Sequence, residues 1–342
     1  MKAALIGLGM VAETHVRALA AARGVRLAGV LSGDADRARA FAQRVAPVTG
    51  TAPPVYDSLE ALAASDVDFV CLCTPPDARM EIVETLARAG KPILMEKPVE
   101  RTVRAATRIV ETCEAAGVPL GIVFQHRQRA GARALAELVA GGRLGGLAAV
   151  EIAVPWWRPQ AYYDAPGRGT LARDGGGVLL SQAIHTLDLA LSLAGPVARV
   201  QAMTRTTRLH AMETEDFATA GLDFESGAVG SLLATTAGRP GRTESLALHG
   251  IEGSALLVGG DLRVDWADGT SERTGEAAAS GAGADPMGFT HDWHRAVIED
   301  FADALREGRP PLSPGRAALH VHAVIEAIVL SSREGRAVQV RR

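Results

Sequence analysis

The chain has 342 residues, 47% of them apolar and 22% charged, and a formal net charge of -3 at pH 7. That length exceeds what one hydrophobic core usually supports, so two domains are expected. No strongly basic balance draws the chain to phosphate backbones or anionic membranes, so neither is an expected partner.

Met1-Lys2 and the apolar residues 3–6 resemble the start of a signal peptide, but Glu13, His15 and Arg17 break the stretch. The most apolar later window, 178–194, contains Ser181, Gln182, His185 and Asp188, which a bilayer span does not tolerate cheaply. The cytoplasm is the expected compartment. Cys71 and Cys73 lie on one face of an apolar run and read as buried thiols, not as a metal or redox pair.

As far as residue 124, short apolar runs alternate with helical periodicity. Strands are expected at 3–6, 27–31, 69–73, 93–95 and 120–124. Helices are expected at 11–23, 36–45, 58–64, 77–88 and 103–116, the third with Asp57 as its cap. Each strand is apolar throughout, the pattern of a parallel sheet covered on both faces. The first domain is therefore set at 1–124 and the second at 125–342.

The second opens with a helix at 132–140, a strand at 148–154, a polar and aromatic loop to Gly177, and a helix at 178–194. Strand-like runs follow at 197–203, 217–223, 229–235, 245–249 and 255–258, joined by turns such as Ser226-Gly227. Short links of this kind indicate an antiparallel sheet. Residues 275–283 read as a mobile loop. Helices at 291–306 and 315–332 and a strand at 338–340 close the chain. The fold class is α/β: an N-terminal Rossmann domain and a C-terminal α/β domain on a large, mostly antiparallel open sheet.

Gly7-Leu8-Gly9-Met10-Val11-Ala12 follows the first strand and opens the first helix. Gly7 permits the tight turn, Gly9 lets a pyrophosphate approach the backbone, and the helix N-terminus at Met10-Val11 faces the anion. In that setting the motif marks a dinucleotide site. The acid that would bind a ribose 2′-hydroxyl is expected at the end of the second strand, where this chain has Ser32 and Gly33. With no carboxylate there, a 2′-phosphate meets no direct repulsion, and Arg37, Arg39 and Arg44 are near in sequence. Asp34 and Asp36 weigh the other way. The expected cofactor is NAD(P), with NADP favoured over NAD.

Glu96-Lys97-Pro98 follows the fourth strand, at the edge where Rossmann ligands bind. Lys97 there either orients a hydroxyl and stabilises negative charge on its oxygen or is a surface lysine before a proline turn. Asp174-Gly175-Gly176-Gly177 leads into a helix bearing Ser181, Gln182 and His185 on one face. His185 reads as a proton acceptor or as a hydrogen-bonded core histidine, and the glycine run favours the former by letting a ligand reach the backbone. Trp156, Trp157, Arg158, Gln160, Tyr162 and Tyr163 cluster before that run. Such residues suit a sugar ring or a carboxylate, and suit a structural role equally. His291, Asp292 and His294 offer two histidines and a carboxylate but no evident further ligand, so no metal is expected.

The glycine fingerprint, Glu96-Lys97-Pro98, and Asp174–Gly177 followed by His185 together resemble the glucose–fructose oxidoreductase and inositol dehydrogenase family, Gfo/Idh/MocA. Glu299-Asp300-Phe301, Glu307-Gly308-Arg309-Pro310 and residues 331–340 are similar to its C-terminal pattern, so the resemblance spans the chain. It implies a catalytic Lys97, an acid/base His185, and Thr74, Pro75, Gln125 and Arg127 beside the nicotinamide. Glu96 is expected in the cofactor site, Ser181 and Gln182 to add hydrogen bonds to the substrate, and the loop bearing Trp156, Arg158 and Tyr163 to shape its pocket. Ser181 and Ala183 stand where many members carry Asp and Gly, and Pro76 and Arg79 replace a frequent Asn and His. Ser181-Gln182-Ala183-Ile184-His185 resembles the form in members acting on nucleotide-sugar uronates and related sugars.

The expected activity is hydride transfer between the nicotinamide and a secondary alcohol of a sugar, sugar acid or polyol. A nicotinamide-dependent glycosidase and a catalytically silent cofactor-binding regulator are the alternatives. A homodimer or homotetramer is expected, formed by the outer face of the C-terminal sheet, where Ala218, Ala220 and Leu222 share one face and Phe217, Thr219 and Asp223 include the other.

Overall fold

The computed structural model describes residues 1–276 and 280–341. Part of the expected mobile loop, residues 277–279, lies outside the described residues. Two compact units emerge: residues 1–125 with 291–318, and residues 126–290 with 319–342.

The first unit alternates strands and helices: β1 (Lys2–Ile6), α1 (Ala12–Ala21), β2 (Arg26–Leu31), α2 (Ala35–Thr49), α3 (Leu59–Ala63), β3 (Phe69–Leu72), α4 (Arg79–Arg88), β4 (Ile93–Glu96), α5 (Val103–Ala115) and β5 (Leu120–Val123). The strands form one parallel sheet in the order β2-β1-β3-β4-β5. Strand order reverses between β1 and β3, so their carboxyl ends flank the crevice where open α/β sheets bind ligands. Ser58, not Asp57, caps α3, its Oγ accepting from the Ala61 amide at 3.1 Å.

Residues 291–318 return to this first unit, which corrects the single cut at 124/125. The reason is an apolar stripe on α9 (Asp292–Glu307): Val297, Ile298, Phe301 and Ala302 join the core made by β1, α1 and α2. The Phe301 ring meets Phe69 edge-on at 5.4 Å. α10 (Gly315–Glu334) starts in this unit and continues in the second.

The second unit holds α6 (Ala130–Ala140), β6 (Leu147–Pro155), α7 (Gln160–Tyr163), α8 (Ile184–Ala194), and strands β7 (Val197–Arg205), β8 (Phe217–Phe224), β9 (Val229–Thr235), β10 (Ser245–Gly250), β11 (Gly253–Val258), β12 (Asp261–Trp266), β13 (Ser271–Thr274) and β14 (Val338–Gln339). Nine strands form one sheet, antiparallel except where β6 runs parallel to β9. α6 packs on β11 and β12, and α8 on β6 and β10. β12 and β13 escaped the sequence reading although Leu262 and Val264, both buried, alternate with exposed Arg263 and Asp265. Ala218, Ala220 and Leu222, which alternation puts on one face, are all buried. Met203 and Val229, paired with Thr219 and Asp223, lie on the opposite face and are exposed. Among the described residues no helix is long and apolar enough to cross a membrane.

Candidate active site

In the first unit the glycine turn is shaped by packing. Gly7 has φ +92°, and a Cβ there would lie 2.6 Å from the Thr74 nitrogen, so only glycine lets the ends of β1 and β3 approach. A Cβ on Gly9 would meet nothing within 4 Å, leaving its backbone open to a ligand. Val11 precedes α1 without a side-chain cap, so the amides of the first turn are not satisfied by a capping side chain. Met10 is exposed beside them. Two buried oxygens at the carboxyl edge, Thr74 Oγ1 after β3 and Gln125 Oε1 after β5, have no protein hydrogen-bond partner. Pro75 follows Thr74 and begins a short turn of 3-10 helix. These features fit a dinucleotide: a turn that admits a phosphate, an open helix N-terminus and polar groups in need of partners.

Past β2, Ser32 is half-buried and Gly33 exposed. Asp34 is committed to capping α2, accepting from the Arg37 amide at 3.0 Å. The Arg37 guanidinium reaches back to the Leu8 carbonyl, 3.0 Å away, on the glycine turn. Arg39 and Arg44 instead pair with Asp36 and Glu13. Of the three arginines, only Arg37 contacts the turn.

Glu96 is turned inward. Its Oε1 lies 2.8 Å from His15 Nε2 and 3.6 Å from His294 Nε2, and its Oε2 accepts from the Lys97 amide at 3.2 Å. Burial favours the neutral acid, but the hydrogen bonds from His15 and His294 hold the carboxyl well below its ordinary range. Burial likewise opposes charge on His15, yet the contacts with Cys73 and Glu96 raise its imidazolium to about 10. Burial lowers His294. The cluster is thus a buried His15–Glu96 ion pair with a neutral His294. The Glu96 carboxylate, expected in the cofactor site, is engaged by His15 and His294 and by the Lys97 amide.

The cluster also regroups the metal candidates. Asp292 pairs with Arg295 within α9, while His294 enters the core, where the ligand atoms of His15, Glu96 and His294 lie within 4.8 Å of one another. His15 and Glu96 are remote from His294 in sequence, so no spacing along the chain groups the three. Lys97 follows, half-buried, on a cis bond to Pro98.

In the second unit a π turn at Leu179–Ala183 precedes α8 and interrupts the single helix expected there. Such turns occur often at functional sites. The Glu215 side chain accepts from the amides of Gly177 and Leu179, both at 3.1 Å. A Cβ on Gly177 would collide with the Glu215 backbone, and Gly175 has φ +78°. Gly177 is therefore required by a contact within the protein, and Gly175 by its backbone conformation.

His185 stacks on His126, their ring centroids 5.0 Å apart. His126 Nε2 lies 2.6 Å from Arg129 Nη2, and Arg129 forms a buried ion pair with Glu244. An arginine nitrogen can only donate, so His126 Nε2 is the acceptor. Arg127, expected near the nicotinamide, makes a two-pronged ion pair with Asp188 on α8, with both bonds at 2.6 Å. His126 escaped the sequence reading although it lies between Gln125 and Arg127; the polar run Gln125–Gln128 directly after a strand was the available signal.

Ser181 is half-buried. Gln182 is 4% exposed, its Nε2 3.5 Å from the Tyr162 hydroxyl and its Oε1 buried without a protein partner. The aromatic cluster divides. Trp156 donates to Glu244 at 3.0 Å, Tyr163 hydrogen-bonds Thr236 at 2.6 Å, and the Arg158 guanidinium sits over the Trp156 ring, donating to the Trp157 and Gly283 carbonyls. The polar atoms of Trp156 and Tyr163 are thus engaged inside the unit. Tyr162, half-buried, receives a bond from Arg168 at 2.9 Å and faces Gln182.

Residues 1–124 match the model of an oxidoreductase family with an NAD-binding Rossmann fold, and residues 132–256 match the GFO/IDH/MocA C-terminal domain. The chain belongs to the Gfo/Idh/MocA family. One relative within it is the D-apiose dehydrogenase of Paraburkholderia graminis, 29% identical over 99% of this chain and 90% of that protein. Another is the 1,5-anhydro-D-fructose reductase of Ensifer adhaerens, 26% identical over 98% and 97%. Among solved structures, the WlbA dehydrogenase of Chromobacterium violaceum in complex with NADH and UDP-GlcNAcA is 30% identical. It has a TM-score of 0.81 and covers 100% of this chain and 96% of that one.

Proposed function

We propose that this Gfo/Idh/MocA protein is a dehydrogenase or reductase acting on a secondary alcohol of a sugar, sugar acid or polyol. The observation that carries the reading is the glycine turn at the point where strand order reverses, with Gly7 wedged against Thr74 and an uncapped helix beyond it. Relatives named as a sugar dehydrogenase and a sugar reductase support the substrate class. A bound nicotinamide supplies the hydride acceptor or donor.

In this reading the backbone of residues 7–11 binds the pyrophosphate, and Thr74 and Gln125 orient the nicotinamide end. Lys97 holds and polarises the substrate hydroxyl oxygen, while His185 takes its proton. Gln182 Oε1 accepts from a neighbouring hydroxyl, and Tyr162 with Arg168 replaces Trp156 and Tyr163 as the reach toward the ring. A panel of sugars, sugar acids and polyols, with D-apiose, 1,5-anhydro-D-fructose and UDP-GlcNAcA included, tests the activity by nicotinamide absorbance. No turnover with either cofactor on any member would sink it.

The finer cofactor reading is NADP over NAD, because Ser32 replaces the acid and Arg37 reaches the glycine turn. Fluorescence titration should show tighter NADPH than NADH binding, and Ser32→Asp should reverse the order. A carboxylate about 4 Å from a 2′-phosphate costs up to about 4 kcal/mol, less at this exposed position. Tighter NADH binding by the unaltered chain ends this preference.

The chain is further read as a homodimer or homotetramer, because Met203, Val229 and Leu256 leave apolar surface exposed on the second unit. Sedimentation at micromolar concentration should show a species above the 35.7 kDa of one chain.

A further inference from the structure

Arg79 opens α4, yet its side chain is only 2% exposed. Its guanidinium donates to backbone carbonyls belonging to two loops. Nε and Nη2 reach the Thr74 carbonyl at 3.1 and 2.8 Å, in the loop after β3. Nη1, its two hydrogens shared, donates to the carbonyl of Glu96 at the end of β4 (2.5 Å) and to those of Pro98 and Val99 (the latter at 3.3 Å) in the loop that follows. These carbonyls bracket Lys97 on both sides. The Lys97 amide itself donates to the Glu96 carboxylate.

Burying a permanent cation is costly, and here burial lowers even an arginine to about 10 against the pull of Glu96. Anchoring the start of a helix does not need such a group. A planar fork with five donors does what no ammonium can: it bonds several carbonyls in fixed mutual directions.

We propose that Arg79 is a positioning residue for Lys97. The guanidinium ties the loops after β3 and β4 into one platform, so that Lys97 and Thr74 are presented in a fixed relation. The inference rests on the reading of Lys97 as a catalytic group.

The test compares Arg79→Lys, Arg79→Ala and Lys97→Met on the panel substrate turned over fastest, with hydrogen exchange followed by mass spectrometry. Misplacing a reacting group by about 1 Å costs on the order of 100-fold, so both Arg79 variants should lose roughly 10- to 100-fold in kcat with KM little changed. Millimolar guanidinium should restore part of the kcat of Arg79→Ala and none of that of Lys97→Met. Amides of residues 96–101 should exchange faster in Arg79→Lys, which keeps a buried cation and guards against simple failure to fold.

Unchanged exchange at 96–101 in folded Arg79→Lys overturns the proposal by itself. So does a loss of kcat that guanidinium cannot restore, which would make Arg79 a residue of the fold alone. If Lys97→Met keeps its turnover, it is the reading of Lys97 that fails, a result separable from either of these.

Discussion

Lys97→Met should lower turnover by roughly 100- to 1,000-fold or more, because it removes both charge stabilisation at the reacting oxygen and alignment. His185→Ala should bind cofactor normally and lose roughly 100- to 10,000-fold, the usual range for a missing general base. In the proposed mechanism Lys97 and His185 serve the same substrate hydroxyl, so the double variant should be little worse than the poorer single one. The His185 ring is held by its surroundings. The residue follows a π turn, its ring is stacked on His126, and Arg129 fixes the ring it stacks on. Arg127 and Asp188 pin the next turn of the same helix. Near-normal turnover in either single variant, after circular dichroism has shown it folded, would return Lys97 to a strand-edge lysine or His185 to a core histidine.

The second large effect is on stability. His15→Leu should destabilise the first unit by ~3–5 kcal/mol near pH 6, because it strands a buried carboxylate that now has an ion-pair partner. The pH dependence has a definite sign. His15 is raised from 6.5 to about 10, so its contribution is complete below 6.5 and is lost as pH climbs through about 10. Glu96 is depressed from 4.5, so its contribution is complete above 4.5 and is lost as pH falls through its lowered folded value. The wild-type advantage in urea unfolding should therefore be largest between 4.5 and 6.5 and shrink steadily toward 10. An advantage that grows with pH would mean that His15 is neutral in the folded protein.

What was legible in the sequence was local. The glycine turn at residues 7–12 could be read because a strand, a tight turn and a helix are consecutive, and each has its own period or conformational demand. The apolar runs at β1, β3, β4 and β5 announced a parallel sheet because strands buried on both faces leave no room for alternation. Ala218, Ala220 and Leu222 revealed their inward face through a period of two.

What only the tertiary structure decided was the direction of side chains and the meeting of remote ones. A triplet such as Glu96-Lys97-Pro98 says that a strand is ending, not which residue turns inward. Glu96 does so because His15 on α1 and His294 on α9 converge on it, and no periodicity links those positions. The same holds for residues 291–318, assigned to the first unit only when Phe301 finds Phe69, and for Arg79, whose partners are backbone carbonyls and leave no mark on side-chain pattern. Gly177 makes the point from the other side: its glycine was visible at once, but the reason for it, the backbone of Glu215, became visible only when two remote segments packed. Sequence patterns record the burial and conformation of a residue in its own element, whereas long-range contacts are made by the few kcal/mol of packing and pairing that exist only in the folded chain.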